Sequence, residues 1–237
     1  MNHLTKEKYF SIISDYKQKL KSIGEELKFT SFETVFNSQL EDSLIDFDNL
    51  KGIVVMDNPG LEEKLQKEYL VGTAGKAFNK VLNSIGIQRS QVLVFNKSSI
   101  TTPATNNLNE LYKDEKVKEI FLREQDITFN TIKEVSLLLN LPIMLHGYSS
   151  YFKNGKRFIE NEKSNRPLFV FFKNLYESKD LHDNIYFYKH SSYGNLSKQI
   201  YSFSEILDKD SICFEEYLNL GKSISQEFLK NKGINKI

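Results

Sequence analysis

Four short apolar runs, each stopped by a polar side chain, constrain this chain more than anything else in it. Ile53-Val54-Val55-Met56 breaks at Asp57-Asn58-Pro59-Gly60, and Val92-Leu93-Val94-Phe95 ends in Asn96. Pro142-Ile143-Met144-Leu145 ends in His146-Gly147, and Ile185-Tyr186-Phe187-Tyr188 in Lys189-His190. An apolar run of this length without alternation is the pattern of a strand buried on both faces, as in a parallel sheet covered by helices. Helical spacing fills the gaps between the runs. Phe78, Val81, Leu82 and Ile85 form one stripe, and Ile132, Val135, Leu138 and Leu139 another. Strand–helix alternation predicts an α/β protein with a four-stranded parallel sheet and helices on both faces, a three-layer α/β/α arrangement. In such sheets ligands bind beyond the carboxyl ends of the strands. Three of the runs end there in groups able to line one crevice: Asp57 with Asn58, Asn96, and His190.

Around this unit the chain reads as follows. Tyr9, Ile12, Ile13, Tyr16, Leu20 and Ile23 predict an amphipathic helix over 5–27, followed by an irregular acidic and aromatic connection to Leu50. Residues 1–50 are therefore expected as a helical extension packed on a core domain of 51–237. Leu70-Val71-Gly72-Thr73-Ala74-Gly75 is a glycine-rich helix start, where backbone can approach a ligand closely. It is not a phosphate loop, because Leu70 stands where the first glycine is required and Ala77 where a magnesium-binding hydroxyl is required. Residues 98–109 read as loop, 110–120 and 128–139 as two helices, and 154–165 as a polar loop. Residues 167–175 fit either strand or helix, and two further helices are expected over 196–207 and 214–229.

Composition narrows the function classes. A net charge of +1 gives no global sign of a polyanion partner, so a DNA surface would have to be local. The single Cys213 excludes a disulfide framework and a thiolate cluster within the chain, and points to a reducing, cytoplasmic setting. No apolar run approaches the ~18 residues of a membrane span, and no His/Cys/carboxylate spacing suggests a metal. His146 matches no motif and reads as structural; His3 and His182 read as surface residues.

The strand-end residues resemble the uracil-DNA glycosylase superfamily, in order, over roughly 52–200. Met56-Asp57-Asn58-Pro59-Gly60 is a variant of its first motif, G-x-D/N/A-P-G/Y. Val71-Gly72-Thr73-Ala74-Gly75 is like the V-G-x-A-G segment of the thermophile-type iron–sulfur branch. Asn96 lies where the family carries an Asn after its second strand, and His190-Ser191-Ser192 where it carries H-P-S. The resemblance implies a strand order of 2-1-3-4 and a monofunctional glycosylase that hydrolyses the N-glycosidic bond of uracil, or a related damaged base, in DNA. It implies no cofactor, since the four cysteines of the iron–sulfur branch are absent, and a monomer with DNA as partner.

Residue by residue, the resemblance gives Asn58 the attacking water, Asn96 the pyrimidine edge, and His190 a hydrogen bond to uracil O2. Gly60 and Gly72 would lie against the substrate. Ser191, Ser192, Tyr193, Gly194 and Asn195 would form the loop that enters the duplex. Leu70 stands where the iron–sulfur branch has a stacking Phe, so that platform is missing or comes from Tyr69. Asp57 is unusual beside Asn58; it is the water activator, a cap on the next turn, or an acid tuned by His190. Two rival readings of the same residues are a catalytically inactive nucleic-acid-binding protein and a hydrolase acting on free nucleosides or nucleotides.

Overall fold

The computed structural model describes residues 3–42, 45–148, 152–153, 156–157, 167–190 and 194–230. Four strands, β1 (Gly52–Met56), β2 (Val92–Asn96), β3 (Ile143–His146) and, past a small antiparallel pair, β6 (Ile185–Tyr188), form one parallel sheet in the order β2-β1-β3-β6. Counting only the strands of this sheet, that is the expected order 2-1-3-4. The small pair is β4 (Phe152–Lys153) with β5 (Lys156–Arg157), which the sequence reading did not foresee. Most of the polar loop expected over 154–165 lies outside the described residues.

Successive residues of each strand serve opposite faces. Ile53, Val55, Leu93, Phe95, Ile143, Leu145, Ile185 and Phe187 pack with α1 (His3–Glu26), α4 (Glu115–Leu139) and α5 (Phe169–Glu177). Val54, Met56, Val92, Val94, Met144 and Tyr188 pack with α3 (Thr73–Ser84), α6 (Asn195–Ile206) and Tyr217 of α7 (Phe214–Lys230). These are the three layers. Each fully buried aliphatic side chain contributes roughly 1.5–3 kcal/mol. An exposed pair such as Lys19–Asp15 is worth ~1 kcal/mol or less. Burial on the sheet therefore dominates the fold's stability.

Two elements differ from expectation. Residues 115–139 form one helix where two separate ones are expected. Glu124 and Gln125, in the gap between the two expected helices, are turned inward: Glu124 accepts from Ser98 Oγ (2.7 Å), Ser99 N (2.7 Å) and Thr128 Oγ1 (2.9 Å), and Gln125 Oε1 from Phe171 N (3.1 Å). The ambiguous run at 167–175 is helix α5, and a six-residue helix α2 (Leu61–Gln66) follows Gly60. No described helix is long and apolar enough to cross a membrane.

Candidate functional site

Parallel pairing of β1 with β2 continues beyond both strands. Lys97 N donates to Met56 O (2.8 Å), Ser98 N to Asp57 O (3.2 Å) and Thr102 N to Pro59 O (3.2 Å). The register that sets Met56 beside Asn96 therefore sets Asp57 beside Lys97. The buried Glu124 carboxyl holds this continuation from below through Ser98 and Ser99. With no cation among its partners, its burial pushes the carboxyl above the usual range, against the donors that favour the charged form.

Lys97 is the residue that sequence reasoning missed. Its side chain is 0% exposed, and its Nζ donates to Asp57 Oδ1 and to the His146 carbonyl, 5.5 Å from the Phe172 ring centre. Burial pulls its ammonium below the ordinary lysine range, and the Asp57 carboxylate opposes that. A lysine after a strand ordinarily reads as solvated. The available signal was opposite charges one residue past the ends of two adjacent strands.

Asp57 keeps its second oxygen free of Lys97. Oδ2 lies 3.8 Å from His190 Nε2, too long for a direct hydrogen bond, and the Asp57 side chain is 17% exposed. Gly147 has φ +80°, and a Cβ there would stand 2.7 Å from Asp57 Oδ1. Only glycine suits that position on both counts. His190 is shifted below the ordinary imidazole range: burial is the main cause, the Asp57 carboxylate raises it, and the Lys97 ammonium lowers it.

Asn58 is tethered by its amide nitrogen, which donates to Thr102 Oγ1 (2.8 Å), Ile100 O (3.2 Å) and Pro59 O (3.2 Å). Its Oδ1 accepts no hydrogen bond from a described residue and is left for another donor. Asn96 is 2% exposed, and its buried Nδ2 has no acceptor among the described residues. An orphaned buried donor of this kind costs ~1–3 kcal/mol until something fills it.

The other expected site residues fall elsewhere. Tyr69 and Leu70 are core residues packed with Phe78 and Val81. The Tyr69 hydroxyl donates to Val35 O, so its ring is no open stacking platform. Leu70 adopts a left-handed backbone, φ +57°. Gly60 and Gly72 are the amino caps of α2 and α3. The Glu63 carboxylate accepts from both Gly60 N and Leu70 N, at 2.6 Å each, and so closes this segment on itself. The close approach that Gly75 allows is to the chain's own Leu70 carbonyl. Ser191, Ser192 and Tyr193 lie outside the described residues; Gly194 (φ +67°) and Asn195 begin α6.

His146 lies behind the site and is fully buried. It stacks on Tyr188 (centroids 5.1 Å apart) and meets Phe78 edge-on (5.2 Å). With Nδ1 protonated it donates to Lys189 O (3.3 Å) while Nε2 faces the Tyr217 hydroxyl (3.5 Å), so one neutral tautomer meets both partners. Burial, reinforced by His190, lowers it to about 3.

Two concavities lie elsewhere on the protein. One of 610 Å³ lies between α1 and residues 33–38, and one of 530 Å³ lies at the amino end of β2. Neither is lined by Asp57, Asn58, Asn96 or His190. Among the described residues no group of three His, Cys, Asp or Glu side chains could hold a metal ion. No known protein-family model matches the chain and no curated protein does either, so the chemistry of this sheet end stands on its own atoms.

Proposed function

We propose that the protein is a DNA glycosylase that hydrolyses the N-glycosidic bond of uracil or a related damaged base. One observation carries the reading. An acid and an imidazole from opposite ends of the chain's strand order, Asp57 Oδ2 and His190 Nε2, face each other at 3.8 Å, and the same sheet end carries the amide nitrogen of Asn96, which has no acceptor among the described residues. The resemblance to the uracil-DNA glycosylase superfamily supports the assignment of roles.

In this reading the bond from C1′ to the base nitrogen breaks with an oxocarbenium-like sugar and an anionic base. A neutral His190 donates a hydrogen bond to O2 as negative charge builds there. Asn58 Oδ1 accepts one hydrogen of the attacking water. An amide cannot take the proton, and the free oxygen of Asp57 can. The carboxylate also faces the developing positive charge on the sugar. The orphaned Asn96 Nδ2 meets a carbonyl oxygen on the base edge, which uracil offers and cytosine replaces with an amino group. Flipping the nucleotide out costs a few kcal/mol, which backbone contacts must offset.

The test is release of base from a uracil-containing oligonucleotide, read as strand cleavage after alkali. His190→Ala should lower the rate by ~10²-fold or more while DNA affinity stays nearly unchanged, because the lost donor acts mainly in the transition state. Absence of product from the wild-type protein at high concentration, on both single- and double-stranded DNA, would sink the reading. Salt-dependent DNA binding without base release would then leave the non-catalytic alternative. Asn96→Asp should raise cytosine release relative to uracil release, since a carboxylate lacks the amide's donor. An unchanged ratio with uracil cleavage intact would remove Asn96 as the reader.

A further inference from the structure

We infer that Lys97 is the positioning residue of this crevice. Its ammonium ties the carboxyl end of β1 to that of β3, aims the second oxygen of Asp57 at His190, and fixes the electrostatic field in which that imidazole works. The assignment deepens the glycosylase reading and rests on it only for what the imidazole does to a substrate.

Three features separate this from an ordinary buried ion pair. First, Lys97 occupies only one Asp57 oxygen, and its second acceptor is the His146 carbonyl at the end of the neighbouring strand. The carboxylate is thereby held by a group that cannot rotate away without leaving a buried ammonium unpaired. Second, its partner's remaining oxygen lies on the side of His190 and is the more accessible end of the pair: the Lys97 side chain is 0% and the Asp57 side chain 17% exposed. Third, the geometry excludes Lys97 as a nucleophile in its own right. An amine wholly covered by protein, with the Asp57 carboxylate as the exposed end of its ion pair, cannot reach a sugar carbon. It acts through Asp57 and through space.

Among the described residues the titratable groups acting on His190 are Asp57 at the end of β1 and Lys97 at the end of β2; His146 at the end of β3 is coupled to it in turn. The two charges act in opposite senses. The carboxylate favours the imidazolium and the ammonium disfavours it. Removing each should therefore move His190 in opposite directions, which generic damage to packing would not do.

The experiment is a pH titration of the His190 ring signals by NMR in the full chain, needing no substrate. The chain has four histidines, and His190→Gln assigns the resonance. In Lys97→Met the midpoint should rise, and in Asp57→Asn it should fall, each by about half a pH unit or more. Midpoints that move the same way, or that do not move, overturn the role. Each single variant strands one buried charge, so the double variant Lys97→Met/Asp57→Asn guards against failure to fold. It leaves neither charge, and its midpoint should lie below that of the wild type because the carboxylate is the stronger influence. A midpoint unmoved or raised in the double variant refutes the proposal. The acid limb of base release should follow the same order across the variants. If the wild type releases no base while the NMR order holds, the glycosylase reading fails and the role of Lys97 stands.

Discussion

Acidification should destabilise the fold by on the order of 5 kcal/mol through His146 alone, between pH 6.5 and about 3. In the unfolded chain this imidazole takes up a proton near its ordinary value of 6.5; in the folded protein burial holds it neutral down to about 3. Between those limits the unfolded state binds one more proton, so stability rises with pH by roughly 1.4 kcal/mol per unit. The contribution is complete above pH 6.5 and disappears as pH falls towards 3. Glu124 acts in the opposite sense, because its raised folded value lets the native state take up a proton first as pH falls. The two are separated by comparing urea denaturation of the wild type and His146→Phe from pH 7 to pH 4. Phe keeps the aromatic contact with Tyr188 and Phe78 and cannot titrate. The stability of the wild type relative to His146→Phe should fall steadily as the pH is lowered. Parallel curves would show that His146 is not the buried neutral group described here.

The second large effect belongs to Gly75. A Cβ at this position would fall on the carbonyl of Leu70. Neither side can yield. Leu70 is in the left-handed region at φ +57°, its nitrogen is held by Glu63 Oε1 at 2.6 Å, and its side chain is 4% exposed. Gly75→Ala should therefore cost ~3 kcal/mol or more, at or beyond the upper end of ordinary overpacking. Gly86→Ala supplies the comparison, since φ is +76° there and nothing lies within 4 Å of the added carbon. That change should cost only the ~1–2 kcal/mol of a left-handed alanine. Equal losses in chemical denaturation would mean that the chain between α2 and α3 has more room than its contacts indicate.

These cases show where the sequence was legible. The strands were readable because both faces of the sheet are covered, which leaves an apolar run with no polar alternation to confuse it. Their polar terminators were readable for the same reason: Asp57, Asn96 and His190 interrupt hydrocarbon. Their order came from resemblance, since periodicity says nothing about which strand lies beside which. Residues that work through register were not legible. Lys97 and Asp57 are 40 positions apart and meet only because β1 and β2 pair as they do. Glu124 was hidden because a charged residue inside a helix ordinarily marks its wet face, whereas here three neutral donors draw it inward. Tyr69 and Leu70 offered large apolar side chains beside a glycine-rich motif; the sequence could not show that the core had already claimed them.

The strip of chain before β1 also runs along the open edge of the sheet. β2 is an edge strand; the chain before β1 meets it at one backbone group and meets the segment just after it at two more. Asn37 Nδ2 donates to Val94 O, Val35 N to Ser99 O, and Thr101 N to Glu33 O, each at 2.9 Å. A chain cut just before Gly52 would lose these contacts and open Val94 O, Ser99 O and Thr101 N, and unpaired backbone at a sheet edge is where a strand of another molecule can add. The leading fifty residues thus shield part of the sheet's open edge.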